Sequence, residues 1–293
     1  MSTYLNLICR SVKAMFEFER HIYKSLVHLQ DIEFTKNRER TLKMDILHPK
    51  ISTKLMPVLV WIHGGAWRSG DKKEGLKHLV SFARQGFFCA SIEYRLSHEA
   101  IFPAQIQDCK CAIRFLRAHA QKFHIDPHRI GVWGVSAGGH LAALLGTTED
   151  IQEFEGSGGW QNYSSCVQAV CDWFGPTDFL RINDFLRNID FTPANSPEAA
   201  LIGGLIEENQ DTAAKANPIT YVSKEVPPFL IVHGDKDLLV PLNQSQLLFN
   251  ALQKVEAEVT FEIIKGGKHG DKKKFGSRAL SKKMENFFKK HLI

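Results

Sequence analysis

At 293 residues, with 44% apolar and 24% charged side chains and no low-complexity tract, the chain has room for one large α/β domain and a substantial core. Its net charge of +5 is mild, and no aromatic-interleaved basic stripe accompanies Lys272-Lys273-Lys274, so a solvated helical face is expected there and a nucleic-acid partner is not. The six cysteines (Cys9, Cys89, Cys109, Cys111, Cys166, Cys171) form no Cys-x-x-Cys pair and no metal-ligand spacing; most read as small core residues in a reducing compartment, with a Cys166–Cys171 bridge left open.

Leu5, Ile8, Val12, Met15, Phe16, Ile22 and Leu26 recur at helical spacing, which predicts an amphipathic helix over 1–28 packed on the main domain. Arg10, Lys13, Glu17, Glu19 and Arg20 interrupt it, leaving no apolar run long enough for a signal core or a membrane span. A cytoplasmic chain without stable membrane association is the expectation. A hairpin follows, from 29–35 through a polar turn at 36–40 to 42–46. Strands and helices then alternate: strand 58–62, helix 73–85, strand 87–94, helix 103–123 opened by Pro103, strand 130–135, helix 137–145 and strand 167–173. Residues 179–226 break the rhythm with turn signals and short helical pieces, and read as a cap-like insertion. The pattern resumes with strand 229–233, helix 241–255, strand 259–264 and helix 277–291. Such alternation implies one domain over 29–293, a mostly parallel sheet covered by helices on both faces.

In a sheet of this kind the reactive groups belong on loops at the carboxyl ends of the strands. Gly134-Val135-Ser136-Ala137-Gly138 sits at a strand-to-helix turn, so Ser136 lies at the apex with the helix N-terminus behind it. After strand 58–62 comes His63-Gly64-Gly65-Ala66-Trp67, whose small residues leave backbone N–H groups facing outward. Gly65, Ala66 and Ala137 are the candidate oxyanion donors. A serine hydroxyl needs a base. Of the thirteen histidines, His269 in Gly266-Gly267-Lys268-His269-Gly270 follows the last strand on a flexible loop and is the candidate. His63 and His233 end strands and read as loop anchors, and His140 is too close in sequence to Ser136 to serve. The base needs an acid to orient it, and both Asp235 and Asp237 follow strand 229–233. Spacing does not choose between them.

Taken together, these motifs resemble the α/β-hydrolase fold, in particular the hormone-sensitive-lipase-like carboxylesterases and their branch of bacterial feruloyl and acetyl-xylan esterases. The residues that carry the resemblance are His63-Gly64-Gly65-Ala66-Trp67, Gly134 to Gly139, Tyr94-Arg95-Leu96, Phe174-Gly175-Pro176-Thr177-Asp178, Asn217-Pro218-Ile219 and His233-Gly234-Asp235-Lys236-Asp237 with Val240-Pro241. It implies a triad of Ser136, Asp237 and His269, preferring Asp237 to Asp235, and an esterase of short-chain or aromatic acyl esters that needs no metal and no cofactor. The chain departs from it at Ala66, where many relatives carry a third glycine, and at Lys268, where a small residue is usual. Kynurenine formamidases share the His-Gly-Gly-x-Trp loop, so an amide or formamide hydrolase is the alternative within enzymes. A ligand-binding member with a decayed triad is the alternative outside them, against which the complete triad argues. Trp67, Phe174 and the insertion's Phe185, Phe191, Leu201, Ile202, Leu205 and Ile206 read as core before substrate wall.

Overall fold

The computed structural model describes residues 25–35, 40–149, 151–184 and 193–293. Of the helix expected over 1–28, residues 1–24 lie outside the described residues, as do 36–39 of the expected turn, Phe185 and Phe191; residues 26–28 are not helical but open the first strand, paired with Pro49, His48 and Leu47. Eight strands form one sheet: β1 (Leu26–Glu33), β2 (Lys43–Pro49), β3 (Met56–Ile62), β4 (Phe88–Ile92), β5 (Ile125–Val135), β6 (Ala169–Trp173), β7 (Phe229–Gly234) and β8 (Val259–Ile264). Their order is β1-β2-β4-β3-β5-β6-β7-β8; β2 runs antiparallel to β1 and β4, and every other pair is parallel.

Around the sheet lie α1 (Leu76–Arg84), α2 (Ala104–Ala118), α3 (Ala120–Phe123), α4 (Ala137–Thr147), α5 (Pro197–Ile202), α6 (Gln210–Ala216), α7 (Leu242–Lys254), α8 (Lys272–Phe275) and α9 (Arg278–Leu292). The apolar runs are explained by burial on both faces: every residue of β3, β4, β6 and β7 is buried. Met56, Val58, Val60 and Ile62 of β3 point into one core with Leu141, Leu144 and Leu145 of α4. Leu59 and Trp61 point into the other, with Leu79 and Phe82 of α1 and Met284 and Phe288 of α9. Along α4 every residue is buried, which its run of alanines, leucines and glycines permits.

Several boundaries differ from the sequence pattern by a few residues, and two of the differences have a plain physical cause. The expected helix 103–123 is interrupted at His119 (φ −105°, ψ 19°), whose ring Nδ1–H donates to the Phe115 carbonyl, 2.8 Å away. Strand β5 starts five residues early because a register shift opposite Met56–Val58 accommodates Pro127, which lacks the N–H a regular ladder would use. The thiols of Cys166 and Cys171 are both free, so the bridge left open by the sequence is not formed. In the 179–226 region, Phe179, Leu201, Ile202 and Ile206 join the same core as α4. Leu205 beside them is half-buried. The sheet order, the mixed edge and the helices on both faces are those of the α/β-hydrolase fold.

Candidate active site

The centre of the site is a backbone device. Ser136 sits between β5 and α4 at φ 55°, ψ −121°, outside the regions an L-residue prefers. Such a conformation costs about 1–3 kcal/mol and persists only where the surroundings enforce it. Here the Ser136 amide donates to the Trp173 carbonyl at 2.8 Å, and the helix begins at once behind it. The flanking glycines let the elements close: a Cβ on Gly134 would lie 1.9 Å from the Gly138 carbonyl oxygen, and one on Gly138 would lie 2.1 Å from that of Ile62. No larger residue fits either position.

His269, on the loop after β8, reaches this apex. Its Nε2 lies 2.9 Å from Ser136 Oγ, and its Nδ1 lies 2.7 Å from Asp237 Oδ2. Since a carboxylate can only accept, Nδ1 carries the hydrogen and Nε2 is left to accept from the serine hydroxyl. The ring is half-buried, packed edge-on against Phe174 with centroids 4.7 Å apart. Asp237 is buried. Burial alone would raise its pKa, but hydrogen bonds from His233 and His269, the nearby His269 charge and the Val240 amide outweigh that and hold the carboxyl well below the usual range. Its Oδ1 accepts from the Leu239 and Val240 amides at 2.9 and 3.0 Å. His233 is the anchor its position suggested, with Nε2 2.9 Å from the Val240 carbonyl and 3.3 Å from Asp237 Oδ2, and Nδ1 2.7 Å from Ser245 Oγ. Asp235, the other candidate, turns away and accepts from the Gly266 amide.

The loop 63–67 runs against the elbow: a Cβ on Gly64 would lie 3.3 Å from Ser136 Cβ. Gly65, Ala66 and Trp67 all hold positive φ (103°, 55° and 54°), and the Arg68 and Ser69 amides fold back onto the Gly65 carbonyl at 3.0 Å. Among the described residues, the amides of Gly65, Ala66 and Ala137 donate to no other protein group. Tyr94 pins the base of the loop: its hydroxyl donates to the His63 carbonyl at 3.0 Å, and its ring stacks on His63 at 4.2 Å.

Sequence reasoning missed the work of His140. Trp67 Nε1 donates to His140 Nδ1 at 3.2 Å, and His140 Nε2 donates to the Ala216 carbonyl at 2.7 Å. One neutral imidazole thus ties the 63–67 loop, the elbow helix and the insertion. Burial pushes its pKa down to about 4, against the pull of the Ala216 carbonyl. Phe179 stacks on the same ring at 5.3 Å. On the other side of α4, buried Asp172 accepts from the Gly175 amide at 2.9 Å; burial raises its pKa to about 7, the Gly175 bond opposing. Among the described residues no cluster of metal-binding side chains occurs, and no helix is long and apolar enough to cross a membrane.

With this geometry in place, the chain was compared with known proteins. Residues 44–252 match the BD-FAE family. The chain belongs to that family. The chain is also similar to esterase LipC of Mycobacterium tuberculosis, 34% identical over 227 residues covering 74% of this chain and 54% of LipC. The carboxylic ester hydrolase LipM of the same organism, described as probable, is 32% identical over 242 residues, covering 81% of this chain and 54% of LipM. The chain therefore spans about half the length of the curated relatives it matches. Among solved structures, a truncated carbohydrate esterase from gut microbiota superposes with a TM-score of 0.84 at 34% identity, covering 90% of this chain and 96% of that one.

Proposed function

We propose that this BD-FAE member is a serine carboxylic-ester hydrolase working through an acyl-enzyme. The observation that carries this reading is the continuous hydrogen-bond chain from Ser136 through His269 to Asp237, at an apex where the serine hydroxyl is presented by strained backbone. His269 Nε2 takes the hydroxyl proton as Ser136 Oγ attacks the acyl carbon. Negative charge gathers on the former carbonyl oxygen, facing the amides of Gly65, Ala66 and Ala137; each such donor is worth about 3 kcal/mol in the transition state. As the tetrahedral adduct collapses, the ester C–O bond breaks and His269 returns the proton to the departing alkoxide, giving the free alcohol. Water, deprotonated by His269, then attacks the acyl-serine, and the carboxylic acid leaves as Ser136 regains its proton. Asp237 keeps the imidazole in the required tautomer and stabilises its charged form.

The substrates of this reading are small-molecule esters with short-chain or aromatic acyl groups, such as acetylated or feruloylated carbohydrate. Support comes from the named esterases among the relatives and from the carbohydrate esterase of similar fold. Ser136→Ala is expected to lower p-nitrophenyl acetate hydrolysis by at least about a thousandfold while leaving the circular dichroism unchanged. Activity within tenfold of the parent would sink the serine mechanism. A panel of acetylated xylan, methyl ferulate and N-formylkynurenine then ranks acyl class against the formamide alternative.

A further inference from the structure

Behind His269, between α1 and α9, lies a cavity of about 630 Å³. Its floor is the sheet itself: Trp133 and Val135 of β5, Trp173 at the end of β6, and Phe174 beyond it. Phe275 and Met284 close the sides. Two exposed lysines, Lys77 on α1 and Lys272 on α8, line it, and no carboxylate does. Neither lysine has an ion-pair partner among the described residues. The acids nearest along the chain, Asp271 beside Lys272 and Glu74 three residues before Lys77, stay out of the lining, and Asp271 is engaged with the Lys273 and Lys274 amides at the start of α8. His78, also in the lining, is stacked on Trp61, and burial, with Lys77 nearby, pushes its pKa down to about 4, so it adds no charge of its own.

We infer that this cavity is a second ligand site, taking a singly charged carboxylic acid with a flat apolar body. The volume is that of a site for a compact organic molecule. Aromatic walls favour a planar ring, and a rim holding only cations favours one anionic group. The cavity also shares its walls with the catalytic elbow. Val135 immediately precedes Ser136, Gly270 immediately follows His269, and Phe174, part of the floor, packs edge-on against the His269 ring at 4.7 Å. An occupant pressing on Phe174 and Gly270 therefore bears on the imidazole that must stay 2.9 Å from Ser136 Oγ. A carboxylic acid is also what the proposed hydrolysis releases, so the cavity lets the product restrain its own formation without entering the esterase cleft. That regulatory role rests on the esterase reading, whereas binding itself does not.

The test uses the full-length Ser136→Ala protein and 3-phenylpropionate as the probe. Two of the five tryptophans line the cavity, so binding is expected as saturable quenching of intrinsic fluorescence. The neutral 3-phenylpropanamide is expected to bind at least tenfold more weakly, and raised salt to weaken the acid alone. Ser281→Phe and, as an independent variant, Ser81→Phe fill the exposed edges of the cavity and are expected to weaken the acid at least tenfold; circular dichroism checks their folding. With Ser136 restored, 3-phenylpropionate is expected to lower kcat as well as raise KM. Quenching that survives both filling variants, equal affinity for the amide, or purely competitive inhibition overturns the proposal. Hydrolysis that survives Ser136→Ala removes the regulatory role but leaves the fluorescence result standing.

Discussion

The elbow and the insertion meet at His140, yet they are held by different means. At the elbow the constraint is made of backbone: Ser136 is fixed by its own dihedral angles, by the hydrogen bond its amide donates to the Trp173 carbonyl, and by two glycines that let β5, α4 and the 63–67 loop touch. The 179–226 region is held by side chains reaching over long sequence distances. Arg68 donates to the carbonyls of Asn195 and Ser196. Asn217 accepts from the Phe179 amide and His140 grips Ala216, while Gln244 holds the Thr177 and Asp178 amides that lead into the region. The elbow is thus a stiff fixture, whereas the insertion adds separable side-chain ties to its share of the apolar core. Chemistry should fail abruptly when the first is altered, and substrate handling should change gradually when the second is.

The largest contrast is expected at the two aspartates. Asp237→Asn should reduce kcat by about ten-thousandfold, because an amide facing Nδ1 no longer holds the required tautomer. Asp235→Asn, two residues away, should change kcat less than tenfold, since Asp235 only secures the turn at Gly266. Equal losses in steady-state assays would break the assignment. At the elbow, Gly134→Ala is expected to destabilise the fold by more than about 3 kcal/mol in urea unfolding, because its methyl would meet backbone that cannot move aside.

The tie between elbow and insertion has a pH signature. His140 is neutral in the folded chain down to about pH 4, whereas the unfolded chain takes up that proton near 6.5. As pH falls from 6.5 towards 4 the unfolded state binds more protons than the folded one, so stability drops. His140→Gln keeps an acceptor for Trp67 and a donor for Ala216 but removes this titration. Between pH 7 and pH 5 it should lose about 2 kcal/mol less unfolding free energy than the parent. Parallel stability curves would contradict the burial-driven shift. The smallest effect belongs to Arg68→Ala, which releases two carbonyls of the insertion at the exposed rim. A rise in KM of about three- to tenfold with kcat within twofold is expected.

The same contrast explains what could be read from the sequence. Strand and helix alternation, the Ser136 turn and the 63–67 loop follow from residues adjacent in the chain, and each occupies its expected place. His269 is separable from His63, His233 and His140 because it lies on a flexible glycine-rich loop after the last strand. Asp235 and Asp237 are not, since both follow β7; only the direction of each side chain divides them, and the family resemblance was needed to prefer one. His140 was set aside for its closeness to Ser136. Its partners Trp67 and Ala216 lie 73 and 76 residues away, and no local pattern announces them. Pro127 hid the first residues of β5, because its missing N–H resembles a strand boundary until a bulge absorbs it.

The four contacts of Asp237 have one further consequence. A carboxylate oxygen offers two lone pairs; Oδ1 gives both to backbone amides, and Oδ2 faces His269 and His233. Each of these contacts favours the ionised carboxyl, which is held well below the usual range. The imidazolium of the reaction therefore keeps its Nδ1 proton and discharges through Nε2, towards the serine and the departing alcohol, and the relay is sealed at the Asp237 end. Replacing His233, which never meets substrate, would loosen that seal from behind.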